Sequence, residues 1–132
     1  MGGDEYKTIW KGRVQEREKK WGSETTIGSM NQIQAKVLFI DKGKSTSLKY
    51  YTQKSEILYV KKGKIFVEYD SEKFHWQDEC HRKLKEMILS EGQILYVQSG
   101  CPYKITAVEN SEIIEIGDKS VDTPVKLELE ET

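Results

Sequence analysis

From residue 34 onward the chain alternates short runs of β-branched and aromatic residues with glycine-bearing turns. Polar and apolar positions interchange with period two in Lys64-Ile65-Phe66-Val67-Glu68-Tyr69 and Glu112-Ile113-Ile114-Glu115-Ile116, the pattern of strands with at least one face in water. The same reading predicts strands over 34–40, 48–52, 56–60, 64–69, 84–89, 93–97, 102–107 and 112–116. Asp41-Lys42-Gly43-Lys44, Lys61-Lys62-Gly63, Ser90-Glu91-Gly92 and Ser99-Gly100 supply turns between them. About eight strands in about 85 residues, with no competing helix-length period, predict an all-β chain whose residues 34–118 form one jelly-roll β-barrel of antiparallel strands.

The flanks read differently. Residues 1–33 are expected to be a polar arm, dense in charge from Lys11 to Lys20, in which Trp10, Val14 and Trp21 are too sparse for an amphipathic face. Residues 119–132 read as an acidic tail whose end either pairs as an edge strand or frays. Residues 70–82 break the rhythm and read as a long hairpin loop.

Composition narrows the function. In 132 residues, 21 Lys+Arg against 22 Asp+Glu give a net charge of -1, so no overall attraction to a phosphate backbone exists and nucleic acid is not expected as a partner. No apolar run of about 18 residues occurs, and MGGDEYKTIW lacks the apolar core of a secretory signal. Tyr6 stands where N-myristoylation wants Ser or Thr. A soluble, cytoplasmic protein without a membrane partner is therefore expected. Cys80 and Cys101 show no CxxC spacing and read as reduced thiols. His75 and His81 fall beside Asp78, Glu79 and Cys80 without a standard ligand spacing, and read as an exposed hairpin tip. Phosphate-binding glycine loops and a Gly-x-Ser-x-Gly elbow are both absent.

Two glycine-bounded strand pairs carry a resemblance. Gly43, Lys49, Tyr51, Glu56 and Gly63 reproduce the spacing of the first cupin motif, and Gly92, Gln98, Gly100 and Tyr103 that of the second. Over residues 19–128 the chain resembles the small cupins similar to type II phosphomannose isomerases and to the carboxy-terminal domain of bifunctional mannose-1-phosphate guanylyltransferases. Trp21-Gly22, the string from Ser47 to Glu56, Tyr96-Val97-Gln98-Ser99-Gly100 with Tyr103-Lys104, and Ile114-Glu115 carry the likeness. It implies a jelly-roll barrel whose metal-ligand positions are Lys49, Tyr51, Glu56 and Tyr103, the candidate catalytic residues. It also implies that Lys54 and Lys104 stand where that family has arginines.

A cupin metal centre for Fe, Mn, Ni or Zn needs three or four imidazole or carboxylate ligands. Glu56 is the one standard ligand at the matched positions; Lys49 brings a positive charge, and phenols bind metal well only when ionised. No metal cofactor is expected. Lys49 and Tyr51 share a strand face, so the simplest arrangement sets the Lys49 ammonium against Glu56 with a tyrosine hydroxyl closing the set.

Two functions follow. The first is a binding cupin for an anionic or polar small molecule such as a sugar or phosphosugar, with Lys54, Lys104, Tyr96 and Gln98 as ligand-binding candidates. The second is a carbohydrate isomerase or epimerase, in which a desolvated Lys49 is the base and Tyr103 or Tyr51 the acid, or in which a divalent metal is held by a rebuilt, tyrosine-bearing ligand set. The resemblance implies mannose 6-phosphate as the first candidate substrate. A homodimer is expected, with Trp10, Trp21 and Trp76 as candidate anchors.

Overall fold

A computed structural model describes residues 8–70, 84–119 and 124–127. Their strands are β1 (Gln15–Lys19), β2 (Gly22–Met30), β3 (Ile33–Ile40), β4 (Lys49–Tyr50), β5 (Glu56–Lys62), β6 (Lys64–Tyr69), β7 (Lys85–Ser90), β8 (Ile94–Val97), β9 (Tyr103–Ala107), β10 (Ser111–Asp118) and β11 (Val125–Lys126). They form a six-stranded sheet, β1-β2-β3-β10-β5-β8, and a five-stranded sheet, β11-β4-β9-β6-β7. All pairings are antiparallel, and the two sheets face each other as a jelly roll rather than closing into one hydrogen-bonded cylinder.

Each of the eight expected segments contains a strand, with ends shifted by a few residues. The amino-terminal region departs from its reading as an arm: residues 15–30 are β1 and β2, paired along their lengths and continued onto β3. Alternation is hidden there because β1, Gln-Glu-Arg-Glu-Lys, is an exposed edge strand, and because β2 changes register between Thr26 and Gly28, a bulge that interrupts the period. Asn31, at φ 55, turns β2 into β3 in a conformation that asparagine tolerates. In the tail, β11 pairs with β4. The loop histidines, Cys80 and Trp76 lie outside the described residues.

The core is built from inward-facing positions of both sheets: Leu38 and Ile40, Leu58 and Val60, Ile113, and from the facing sheet Ile65, Val67, Leu89, Ile105 and Ala107. One end of this interior changes character. The inward series Ile40–Leu38 continues to Lys36, Val60–Leu58 to Glu56, Ile113 to Glu115, and Ala107–Ile105 to Tyr103. Four strands thus pass from aliphatic to ionisable side chains at the same end, and register makes Lys36 and Glu115 direct neighbours.

Two motif glycines differ in what they do. Gly63, at φ +91, turns β5 into β6 directly against β10: an added Cβ would meet the Ser111 hydroxyl and come within 2.6 Å of the Asn110 carbonyl oxygen. Gly43, at φ +83, has open space around it. Gly63→Ala should therefore cost at least about 2 kcal/mol more than Gly43→Ala, a difference of about 6 °C or more in Tm. Thermal unfolding of the two variants checks this, and equal losses would mean that the backbone contact at Gly63 relaxes freely.

Candidate functional site

The ionisable end of the interior is organised around Lys54. This residue lies in the segment between β4 and β5, yet it is 4% exposed. Its Nζ stands 3.4 Å from Glu56 Oε2 and 3.4 Å from Glu115 Oε2, and 4.8 Å from the centre of the Tyr51 ring. Space for it comes from Gly117, paired with Glu56 in register: a Cβ there would lie 3.2 Å from Lys54 Cε and 2.8 Å from the Ser55 carbonyl oxygen. From the other sheet, the Tyr103 hydroxyl donates a hydrogen bond of 2.8 Å to Glu56 Oε1. Glu56 Oε2 is buried and accepts no hydrogen bond of good geometry among the described residues, so the Lys54 charge is what offsets it. At the rim Lys36 binds Glu24 at 3.1 Å.

Burial and charge shift these groups in different directions. Burial pushes the Glu115 carboxyl up to about 7, assisted by the neighbouring Glu56 and opposed by Lys54 and Lys36. Burial by itself lowers Lys54, but Glu115 and Glu56 outweigh it and hold the ammonium above its ordinary value. Lys49 has no ion pair of that closeness among the described residues; burial dominates and lowers it, with Glu115 and Glu56 pulling back. Tyr51 is pushed up to about 12 and Tyr103 well above its ordinary value, in both cases first by burial.

The sequence-derived residues therefore separate. Glu56, Tyr103, Tyr51 and Lys49 do face one interior end, but the cation on Glu56 is Lys54, not Lys49. The expectation failed because strand periodicity says nothing about a side chain in the 51–55 segment. Lys104 is not part of the site: it follows inward-facing Tyr103 on β9, points to the outer face, and pairs in register with Glu68. Tyr96 and Gln98 are exposed and stand at the rim of a separate pocket. Glu115, Lys36 and Glu24 escaped the sequence reading, although Glu115 shares parity with buried Ile113 and was in principle visible as a carboxylate on an inward face.

The cluster encloses little space. A cavity of about 30 Å³, lined by Glu24, Lys36, Lys49, Tyr51, Tyr103 and Glu115 among others, has room for a water or two and not for a sugar. Beyond Tyr103, which lines both, a pocket of about 380 Å³ opens between the free edges of the two sheets. Its floor is Met87, Leu95, Val97 and Pro102; Tyr69, Asp70 and Gln98 supply polar groups. Among the described residues no lysine or arginine lines it.

The cupin metal does not fit this donor set. Its matched positions hold an ammonium side chain, two phenols kept protonated by burial, and a carboxylate already engaged by Tyr103 and Lys54. Lys54 puts a positive charge beside the two carboxylates that a cation would need.

Two measurements test this geometry. Lys54→Met leaves Glu56 and Glu115 buried without their cation and should cost about 3–5 kcal/mol, whereas Lys104→Met on the outer face should stay within about 0.5 kcal/mol. Denaturant unfolding of both variants distinguishes them. The raised Glu115 carboxyl favours the folded state fully below its ordinary value of 4.5, and that contribution is lost as pH rises to about 7. Stability should thus fall across this window by an amount on the order of 3 kcal/mol, and Glu115→Gln should flatten the fall. A Glu115→Gln profile parallel to the parent's would remove Glu115 as its source.

Neither a family model nor a curated protein matches the sequence. Solved structures do. KdgF from Halomonas sp. is 16% identical, with 83% of this chain and 89% of that chain covered at a TM-score of 0.65. An RmlC-like cupin from Shewanella frigidimarina is 14% identical, with 87% and 93% covered and a TM-score of 0.67. The capsular polysaccharide assembling protein CapF from Staphylococcus aureus is 17% identical, with 89% of this chain but 35% of that chain covered, at a TM-score of 0.67. The chain spans about a third of CapF. At these identities it is the shape that is shared, and the shape is the jelly roll of the cupins.

Proposed function

We propose that this chain is a metal-free cupin that binds a neutral carbohydrate in the 380 Å³ pocket between the sheet edges. The observation that carries the reading is Lys54, held 3.4 Å from each of two buried carboxylates at the end of the interior where cupin motif residues converge. An internal cation there does the electrostatic work of a metal for the protein's own carboxylates, and one ammonium against two carboxyl groups leaves no excess positive charge between them to hold an anionic ligand.

The pocket's chemistry supports a sugar without a phosphate. Its volume falls in the range of small-molecule sites, about 300–1,000 Å³. An apolar floor suits the C–H face of a pyranose, while Asp70, Gln98 and the Tyr69 hydroxyl suit its hydroxyls. Among the described residues the lining offers a phosphate no lysine or arginine. CapF, a capsular polysaccharide assembling protein that shares this shape over about a third of its own chain, is consistent with this ligand class. The likeness to phosphomannose isomerase-like cupins points to hexoses, and the described lining favours a hexose without its phosphate.

An isomerase reading has one supporting observation: Glu115, with its carboxyl near 7, could give and take a proton at neutral pH. It is weaker because the cavity beside Glu115, about 30 Å³, admits no sugar carbon.

Purified without chelator and challenged with Mn, Fe, Ni and Zn, the protein should retain less than about a tenth of a metal per chain by elemental analysis. Calorimetric titration should detect a neutral hexose or disaccharide, recovered unaltered, and no binding of inorganic phosphate. Gln98→Ala should weaken the sugar about fivefold at unchanged Tm. Near-unit metal occupancy, or tighter binding of hexose phosphates than of hexoses, would overturn the proposal. Deuterium entering the sugar from heavy water would favour the isomerase.

A further inference from the structure

The outer faces of the two sheets differ in a way that a monomer does not explain. In the five-stranded sheet, outward positions are mixed: Glu68 faces Lys104 and Glu86 in register, and Phe66 faces Thr106 and Ile88. The outer face of the six-stranded sheet is apolar along two rows that each cross its four strands β3, β10, β5 and β8. One runs across β3, β10, β5 and β8 as Val37, Ile114, Tyr59 and Ile94. The next runs as Ala35, Ile116, Ile57 and Tyr96, and Gly28 of β2 extends it. An antiparallel sheet with a solvated outer face ordinarily carries polar residues there.

Exposure in this face is substantial. Ile116 is 45%, Ile57 42%, Ile94 47% and Tyr96 73% exposed, and Ile33 and Met30 at its lower corner are 61% and 57% exposed. With Phe39 and Tyr59, and about 200 Å² for a large side chain, the face presents on the order of 800 Å² of apolar surface, what one partner contributes to a standard stable interface. A monomer rarely leaves so much contiguous apolar area in water. Charge marks the ends of the face and is missing from its middle: Lys61 and Glu112 pair at 3.7 Å at one end, and Asp118 stands at the other.

The sheet order supplies the occupant. With β10 taken as the centre, β8 lies two strands to one side and β2 two strands to the other, each about 10 Å away. Tyr96, the most exposed aromatic of the rows, stands on β8; in the same row on β2 lies Gly28, where an added Cβ would meet nothing within 4 Å. A depression of about 530 Å³ surrounds Gly28, lined by Ile27, Met30, Ile33, Ala35 and Trp10. A two-fold axis parallel to β10 carries Tyr96 of one copy over Gly28 of the other, and the reverse, in a single operation. Protrusion and depression are therefore placed as an isologous contact requires, and an uncharged middle gives two identical faces nothing to repel.

We propose that the outer face of the six-stranded sheet is a homodimer interface, packed sheet on sheet about a two-fold axis along β10, with Tyr96 of each copy seated in the depression around Gly28 and Ala35 of its partner. This replaces the tryptophans as anchors. Trp21 packs against the core inside the sandwich, and Trp10 is half-exposed at the margin of the depression.

Light scattering coupled to gel filtration tests the proposal on the full chain at about 50 µM. The parent should elute with twice the chain mass. Ile116→Lys should halve that mass with an unchanged circular dichroism spectrum, and Gly28→Phe, which fills the depression where a side chain meets no neighbour, should do the same. Ile88→Lys, on the outer face of the other sheet, should remain dimeric. A monomeric parent would overturn the proposal, as would a dimer that survives both Ile116→Lys and Gly28→Phe in folded form. Should Ile116→Lys fail to fold, Gly28→Phe decides the outcome on its own.

Discussion

A buried ammonium between two buried carboxylates is the constraint around which the rest of this molecule is arranged. Taking an ammonium and two carboxyl groups out of water is costly, and Lys54 offsets that cost only while it stays close to both, with burial and Glu56 resisting the ionisation of Glu115. Lys54 comes from the segment before β5, Glu56 opens β5, Glu115 lies on β10, and Tyr103 closes the set from the opposite sheet. Four parts of the chain must therefore be in place before any of them is comfortable. This end of the sandwich is specified by polar geometry, whereas the other end, around Ile40, Val60 and Ile113, is specified by packing.

The same cluster decides what the interior can and cannot do. It closes one end of the sandwich to a cavity of about 30 Å³ and holds Tyr103 as a wall between that cavity and the larger pocket. The larger space lies away from the motif residues, towards the β7 and β8 edges, where the lining among the described residues is apolar with neutral and acidic polar groups. Glycine at position 117 is part of the device, since a side chain there would collide with the path of Lys54. The site is a consequence of local sequence choices on several strands, and no one segment encodes it.

How much of this was legible in the sequence follows from which rule each residue obeys. Strands such as Lys64–Tyr69 were readable because alternation and a flanking glycine agree. Glu56 and Tyr103 were readable from motif spacing. Lys54 was singled out by motif spacing as a ligand-binding candidate, but its place between two carboxylates was not readable, because a residue between strands has no parity and its burial depends on Gly117 and Glu115, more than sixty residues away. β1 and β2 were hidden by polar composition and by a bulge. Glu115 was hidden by expectation: a glutamate in an alternating strand is read as its wet face, whereas Ile113 and Glu115 together point inward.

That inversion links the interior to the outer surface. In the second half of β10 the inward residue is Glu115 and the outward residues are Ile114 and Ile116, the reverse of an amphipathic strand in water. Such a strand gains little from the ordinary contrast between core and solvent. It is held inside by Lys54 and outside by whatever removes Ile114 and Ile116 from water. β10 is also the strand on which the two-fold axis would lie, so the surface that needs covering is centred on the strand whose inner face carries the charge. Covering it would add apolar burial where the monomer has least, directly behind the ion cluster. In the proposed dimer a charged interior at one end and an apolar exterior behind it are two halves of one solution, in which association would supply the hydrophobic contribution that this end of the core gave up for its charges.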